Sequence, residues 1–138
     1  GDIIDFNTNT AQDGGVTLSN VELIGDADDI ATAGVVIIDN SAAGVADADS
    51  LSAADIADRV NDIGNDNIGG AGDSILSSET ATDDFYLVIS DGTDTAIAWV
   101  ETVAGNVVIA AAEITVIATL EDVDDASEIV AANLADFV

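Results

Sequence analysis

The chain has 138 residues, enough for one modest domain, and sets 28 acidic residues against one basic residue, Arg59, for a formal net charge of −27. Such a charge predicts disorder only in a chain poor in apolar residues, and 49% of these residues are hydrophobic, so we expect folding. One cationic side chain cannot bind a phosphate backbone or an anionic membrane surface. The absence of Cys and His excludes disulfides, thiolate zinc sites and His-dependent catalysis, and no apolar run reaches the ~18 residues of a membrane span.

Residues 1–40 are predicted to form short strands between acidic turns. Ile and Val number 31 together against 7 Leu, a bias that favours strands. The segment 16–24 alternates and then changes phase near Asn20, which predicts a bulge. The continuous apolar run 35–38 is typical of a strand buried on both faces. Strands separated by short Asp/Gly turns favour solenoid-like rungs or a small sandwich.

One helix is predicted in the middle of the chain. Apolar residues recur at helical spacing from 53 to 63, and Ser52 with Asp55 forms a shortened capping box at the start. Arg59 falls on the opposite face, between Asp55 and Asp62, where it can bridge either carboxylate and stabilise the helix. We therefore interpret Arg59 as a structural residue and not a catalytic one.

The second half of the chain is predicted to be an antiparallel meander. The Gly-rich segment 64–84 reads as a long loop and a possible sub-division of a single domain, 1–138. Strand, turn and strand signals follow at 85–90, 91–94 and 95–103, and another alternating run covers 113–123. The fold class is therefore mainly β: a small sandwich or solenoid-like rungs, then a meander, with one short helix and a short helical turn near the C-terminal end.

The chemistry that remains is that of oxygen ligands. Carboxylates, Asn side chains and backbone carbonyls are the ligands of a hard cation, above all calcium. Aspartate outnumbers glutamate 22 to 6, and short Asp side chains in Gly- and Asn-containing turns suit close coordination of an ion. The sequence therefore predicts calcium as a cofactor, while a salt-adapted acidic coat is the alternative that needs no bound ion.

Four clusters of aspartates are the candidate ligands. D-x-D spacing places both carboxylates on one side of an extended segment, where they can converge on one ion. In a chain so rich in Asp, each cluster can equally be a solvated turn. Asp-Asp pairs without flanking catalytic motifs do not predict an enzyme, and Tyr86 and Trp99 are interpreted as core or interface residues before a carbohydrate platform. The candidate metal ligands are Asp26, Asp28, Asp29, Asp47, Asp49, Asp91, Asp94, Asp122, Asp124 and Asp125.

The second half of the chain also carries a resemblance. The segments DFYLVISDGTDTAIAWV and EITVIATLEDVDDASEIVAANLADFV combine an aromatic strand, a DGTDT turn, an ATL strand and an AANxADF ending. In this pattern the region 73–138 resembles the C-terminal domains of RTX-type proteins, acidic proteins exported by bacterial type I secretion. VTLSNVELI and GDIIDF are similar to the rungs that precede such domains in surface-layer and adhesin proteins.

The resemblance implies an extracellular or cell-surface protein that is exported unfolded by an uncleaved C-terminal signal and folds on meeting calcium. The first ten residues lack the basic and apolar regions of a secretory signal peptide, so either that peptide has been removed or export uses another signal. Two departures from the family matter. The GGxGxDxUx repeat is not intact, because Asp73 in GGAGDSIL falls one residue early, which favours ions in individual turns. The Asp-rich loop before the last strand is also missing, leaving Glu101 and Glu113 there.

Two functions follow. In the first, the chain is a secreted structural protein that binds copies of itself and assembles with calcium into a fibre, sheet or biofilm matrix, without nucleic acid or membrane insertion. In the second, it is the C-terminal secretion and folding module of a larger adhesin or enzyme. At low calcium, repulsion among 28 carboxylates opposes compaction in either case.

Overall fold

The structure is a computed structural model, and it describes residues 4–5, 21–24, 35–38, 47–63, 84–101, 103, 108–129 and 134–135. These residues form seven strands and one helix: β1 (Ile4–Asp5), β2 (Val21–Ile24), β3 (Val35–Ile38), α1 (Ala53–Ile63), β4 (Phe85–Ser90), β5 (Thr95–Val100), β6 (Ile114–Leu120) and β7 (Leu134–Ala135). Short 3-10 turns lie at Ala111–Glu113 and Ala126–Glu128. No helix among these ranges has the length and hydropathy that crossing a bilayer requires.

Five strands form one mixed sheet in the order β2-β3-β4-β5-β6. The first three run parallel, with Val21 opposite Val35 and Val35 opposite Tyr86. The last three run antiparallel, which confirms the predicted meander and the mainly β class. These strands do not decide between the two predicted arrangements, solenoid-like rungs and a small sandwich. Elsewhere, β1 and β7 form a two-stranded parallel pair.

The run 35–38 is a strand buried on both faces, as its unbroken apolar sequence predicts. Val35, Val36 and Ile38 are fully buried and Ile37 is 2% exposed. Odd and even positions of this strand belong to different apolar clusters, since successive side chains of a strand point to opposite faces. Both faces of the sheet are therefore covered at β3.

Helix α1 covers the first face. Its apolar residues Ile56, Ala57 and Val60 pack in one cluster with Val36 and Ile38 of β3 and with alternate residues of β4 and β5. The sequence places these three residues on one stripe of the helix, because they are spaced three and four apart. The helix lies between β3 and β4 in the chain and so serves as the crossover that two parallel strands need.

The helix begins as its capping signal predicts, with one difference. Ser52 Oγ accepts a hydrogen bond from the Asp55 N–H at 3.2 Å, which is the expected half of a capping box. The Asp55 carboxylate instead accepts hydrogen bonds from the hydroxyls of Ser50 and Ser52. The Ser52 N–H, which a longer Glu side chain would satisfy, donates to Ser50 Oγ at 3.2 Å.

The segment 121–129 covers the second face. Ala126 and Ile129 are buried against Val35, Ile37 and Val88, beneath the predicted short helical turn, which is confirmed as Ala126–Glu128. The core thus consists of a helix, a sheet and an irregular acidic segment in three layers. The predicted loop and sub-division at 64–84 lie outside the described residues except for Asp84, as does the bulge near Asn20.

Candidate functional site

Three acidic segments meet at one end of the sheet. The β4–β5 turn 91–94 stands in the middle, with 47–50 on one side and 121–125 on the other. We call these three segments the acidic end. They are separated by more than 25 residues in the chain, and they are joined by hydrogen bonds and one close approach.

The turn 91–94 is built by its own aspartates. The Asp91 N–H donates to the Asp94 carbonyl at 3.0 Å, which closes the hairpin. Asp91 Oδ1 accepts from the N–H groups of Thr93 and Asp94, at 3.1 and 2.9 Å. Such side-chain bonds to following backbone N–H groups are the reason that Asp is favoured in turns. Gly92 has φ +83°, a left-handed conformation that glycine adopts without strain.

The segment 47–50 approaches the turn at Gly92. The Ala48 N–H donates to the Ser90 carbonyl at 3.0 Å. A Cβ atom placed on Gly92 would lie 2.9 Å from Asp47 Oδ2. The φ of Gly92 is therefore what favours glycine here, while a larger residue would also displace the exposed Asp47 carboxylate.

The segment 121–125 is fastened to the same turn from the other side. The Asp122 N–H donates to Asp94 Oδ1 at 2.9 Å, and Asp122 itself has φ 60°. Two buried hydroxyls complete the attachment: Ser90 Oγ donates to the Asp124 carbonyl at 2.8 Å, and Thr95 Oγ1 donates to the Val123 carbonyl at 2.7 Å. Sequence reasoning missed Ser90 and Thr95, although they flank the turn as the last residue of β4 and the first residue of β5.

The predicted ligands divide into two groups. Seven of the ten lie in the acidic end: Asp47, Asp49, Asp91, Asp94, Asp122, Asp124 and Asp125. The cluster Asp26, Asp28 and Asp29 lies outside the described residues. The structure therefore brings three separate clusters together at one end of the sheet, which the chain order alone does not reveal.

Several of these carboxylates have a structural role in the turns that hold them. Asp91, Asp94 and Asp125 each use Oδ1 to accept a backbone N–H, the last from Ser127 at 2.8 Å. Within the part of the chain that the structure describes, no three acidic side chains form a group ready to hold one ion. A carboxylate has two oxygens and about four lone-pair positions, so these hydrogen bonds leave chemical capacity for a cation.

Glu101 and Glu113 are neighbours at the opposite end of the sheet. The Glu101 N–H donates to the Glu113 carbonyl at 2.8 Å, beyond the last pair of β5 and β6. The Glu113 carboxylate accepts the Ala110 N–H and so caps the 3-10 turn before β6. The two ends of the sheet thus both carry acidic residues, and the acidic end carries more of them.

The one basic residue, Arg59, lies in α1 and not in the acidic end. Its predicted position on the exposed face of the helix is wrong. Arg59 is 9% exposed and sits beside buried Val60. The contacts that lower the pKa of Asp55 come from the hydroxyls of Ser50 and Ser52, in that order, and not from Arg59. The long apolar stem of an arginine allows such burial, which a charge-based helical pattern does not anticipate.

Tyr86 and Trp99 form a cross-strand aromatic pair. Their ring centroids lie 4.8 Å apart with an interplanar angle of 59°, and Trp99 is 9% exposed. Tyr86 packs against the cluster of the second face. This geometry favours the interpretation of the two rings as part of the core.

Comparison with known proteins gives no relative for this chain. No family model matches it, and neither the curated proteins nor the solved structures contain a significant match. The resemblance to RTX-type domains therefore stays a prediction from the sequence segments that carry it.

Proposed function

We propose that the chain is a secreted, non-enzymatic structural protein that requires calcium to fold fully and that assembles with copies of itself into an extracellular fibre, sheet or biofilm matrix. The observation that carries this proposal is the acidic end, where 47–50, 91–94 and 121–125 are joined across the sheet. Carboxylates gathered at one end of the sheet repel one another in a chain of net charge −27, and a divalent cation would relieve that repulsion.

The acidic end also suggests how calcium would act on the fold. Residues 121–125 lead directly into Ala126 and Ile129, which are buried on the second face. An ion between 121–125 and the turn 91–94 would therefore stabilise these core contacts. A ligand that binds only the folded state adds RT ln(1 + [L]/Kd), about 1.4 kcal/mol for each site at ten times Kd. A few weak sites therefore suffice to control the stability of a domain of this size.

We further propose that residues 1–40 form solenoid-like rungs. In its support, β2 and β3 pair in parallel and in register at an offset of 14 residues, Val21 opposite Val35. A stacked rung requires such a pairing over a short connection. The aspartates 26, 28 and 29 fall in that connection and would supply a further calcium site.

Calcium titration of the full chain tests the proposal. We expect millimolar calcium, and not sodium chloride of matched ionic strength, to raise the midpoint of urea unfolding and to produce assemblies visible by light scattering and electron microscopy. Addition of chelator reverses both effects. A chain with the same unfolding midpoint in chelator and in calcium would overturn the proposal.

Two double variants with the same change of charge test where on the chain calcium acts. Asp122→Asn with Asp124→Asn removes two exposed charges from the acidic end and keeps the backbone contacts of both residues. Asp58→Asn with Glu101→Gln removes two exposed charges elsewhere. We expect the first pair to weaken the calcium response and the second pair to preserve it. Equal calcium responses of the two double variants would mean that calcium acts on a diffuse acidic coat and not at the acidic end.

The second candidate, an export and folding module of a larger protein, has one observation in its favour. The segment 73–138 that carries the resemblance contains β4, β5, β6 and the covering segment 121–129, which make up most of the described core. This candidate requires calcium-dependent folding without assembly. A monodisperse folded monomer at high calcium would support it over the structural protein.

A further inference from the structure

The turn between β4 and β5 contains an Asp-Gly pair. Asp91 precedes Gly92, and the one other such pair in the sequence is Asp13–Gly14, which lies outside the described residues. Among the linkages that follow an aspartate, Asp-Gly is the most prone to rearrange, because glycine has no side chain to hinder attack of its nitrogen on the preceding carboxyl group. Asp91 is half-buried and Gly92 is exposed, so water reaches the pair.

The rearrangement converts aspartate to isoaspartate and needs only water. The Gly92 nitrogen attacks Cγ of the protonated Asp91 carboxyl group; a C–N bond forms, and the carboxyl hydroxyl leaves with the amide proton as water. The product is a five-membered succinimide ring. Water then adds to the main-chain carbonyl of Asp91 and breaks its C–N bond, which leaves the chain running through Cγ. One water is lost and one is regained, so mass and net charge do not change.

In the folded turn both reacting groups are held in hydrogen bonds. The Gly92 N–H donates to Ser90 Oγ at 2.9 Å. Asp91 Oδ1 accepts the N–H groups of Thr93 and Asp94, at 3.1 and 2.9 Å. Attack requires that the Gly92 nitrogen lose its proton and that Cγ turn toward it, which breaks these bonds. The turn therefore has to open before the reaction, and the bonds lost set the cost of opening.

We propose that Asp91–Gly92 is a site of isoaspartate formation controlled by opening of the turn, and that Ser90 is the residue that protects it. The Ser90 side chain is fully buried, and its hydroxyl also donates to the Asp124 carbonyl at 2.8 Å. One hydroxyl thus connects the attacking nitrogen to the segment 121–125. This inference goes beyond the proposed function and does not rest on it, since the reaction needs neither calcium nor a second copy.

Isoaspartate at position 91 would alter the acidic end. It lengthens the main chain of the turn by one methylene group and attaches the free carboxylate directly to Cα. The Asp91 N–H closes the natural turn on the Asp94 carbonyl, and Asp94 Oδ1 accepts the Asp122 N–H. A longer turn does not keep both contacts in place. The purified rearranged chain should therefore unfold at lower urea than the natural chain, and an equal midpoint would contradict this consequence.

Ageing of the full chain in buffer and in urea tests the site and its control by folding. Endoproteinase Asp-N cleaves before aspartate and not before isoaspartate, so the rearranged chain yields an intact peptide 84–93 that co-elutes with a synthetic isoaspartate standard. We expect rearrangement at 91 to be at least about tenfold faster in urea, because the three hydrogen bonds of the folded turn are lost there.

Asp13–Gly14 reports the chemistry of the same dipeptide in urea. Isoaspartate that forms in urea at 13 and not at 91 would overturn the site. Equal rates at 91 in buffer and in urea, with circular dichroism showing a folded chain in buffer, would overturn the control by folding. Neither comparison needs a variant.

Ser90→Ala and Thr95→Ala are matched variants that test the protecting residue. Each removes a buried hydroxyl that donates to a carbonyl of 121–125, and of the two only Ser90 accepts the Gly92 N–H. With urea unfolding to compare their stabilities, we expect folded Ser90→Ala to rearrange about two- to tenfold faster than folded Thr95→Ala, the factor that one hydrogen bond contributes. In urea the two rates should be equal. Equal rates in the folded variants would overturn the role of Ser90.

Ageing in calcium and in chelator separates this inference from the proposed function. Rearrangement that is slow in buffer, fast in urea and the same in calcium as in chelator supports control by the turn and contradicts binding of an ion there. Folding and assembly that respond to calcium, with equal rates at 91 in buffer and in urea, contradict control by the turn and leave the calcium proposal standing.

Discussion

Strands β5 and β6 are neighbours of similar length and apolar content with opposite surroundings. All six residues of β5 are buried, whereas β6 buries Ile114 and exposes positions 115–119. Both sequences are rich in β-branched and small residues. The comparison shows that composition predicts a strand, while the place of that strand in the sheet decides its burial.

The position of the covering layers explains the difference. β5 has a strand on each side, α1 contributes Ile56 and Val60 to the cluster on one face, and the segment 121–129 contributes Ala126 to the other. β6 has one neighbouring strand in the described part of the chain. An Ile side chain is therefore expected to contribute much to stability in β5 and little at the exposed positions of β6.

The largest expected effect on the free energy of unfolding comes from comparing one isoleucine in each of these two strands. Ile97 of β5 is 2% exposed and Ile117 of β6 is 52% exposed, and both lie at the bulge. Ile97→Ala should lower the free energy of unfolding by about 2–5 kcal/mol, because it leaves a cavity in the core. Ile117→Ala should change it by no more than about 0.5 kcal/mol. Urea unfolding of dilute protein measures both values.

Dilution matters in this experiment, because self-association of any kind would add stability at high protein concentration. Comparable losses for Ile97→Ala and Ile117→Ala in dilute solution would show that β6 is covered in the folded monomer. That result would contradict the contrast between the two strands.

A smaller effect concerns what holds the exposed strand in place. Asn61 of α1 pairs with the backbone of Ile109, donating to its carbonyl at 2.8 Å and accepting its N–H at 3.0 Å. This double hydrogen bond fastens the residues before β6 to the helix. Asn61→Ala leaves both backbone groups without this partner and should cost about 1–3 kcal/mol.

The conservative variant Asn61→Asp sharpens this prediction. It keeps an acceptor for the Ile109 N–H and loses the donor to the Ile109 carbonyl, so its unfolding free energy should lie between those of the natural chain and Asn61→Ala. Hydrogen exchange of the Ile109 amide reports the local contact. An amide equally protected in all three chains would mean that Asn61 does not anchor the segment.

Local signals account for the parts of the fold that the sequence predicted correctly. The helix follows from its 3.6-residue spacing and the Ser52 cap, and the β4–β5 hairpin follows from DGTD between two apolar runs. The parallel pairing of β4 with β3 was not predicted, because strand order in a sheet depends on contacts distant in sequence. The exposure of β6 was missed for the same reason, since an alternating pattern looks alike at the edge and at the centre.

In the candidate site, too, local features were predicted and contacts between distant segments were not. Asp91 and Asp94 were recognisable as a turn from residues next to one another. Their meeting with Asp47 and Asp122 depends on the crossover through α1 and on the buried hydroxyls of Ser90 and Thr95. No spacing rule joins positions so far apart in the chain, and Arg59 was misplaced because its burial depends on packing and not on the charge pattern of the helix.

The smallest expected effect concerns the start of α1, the helix that covers β5. Hydrogen bonds from Ser50 and Ser52 lower the pKa of Asp55 below its usual 3.8, so their contribution to stability is complete above that value and is lost as the pH falls through the lowered pKa. Ser50→Ala should move the pKa back toward 3.8, and its small destabilisation at neutral pH should vanish in acid. Carboxyl carbon NMR measures the pKa, with Ser127→Ala as the control. Because Asp55 lies at the surface, a large loss on Ser50→Ala would mean that the loop 47–50, and not the carboxylate, depends on this hydroxyl.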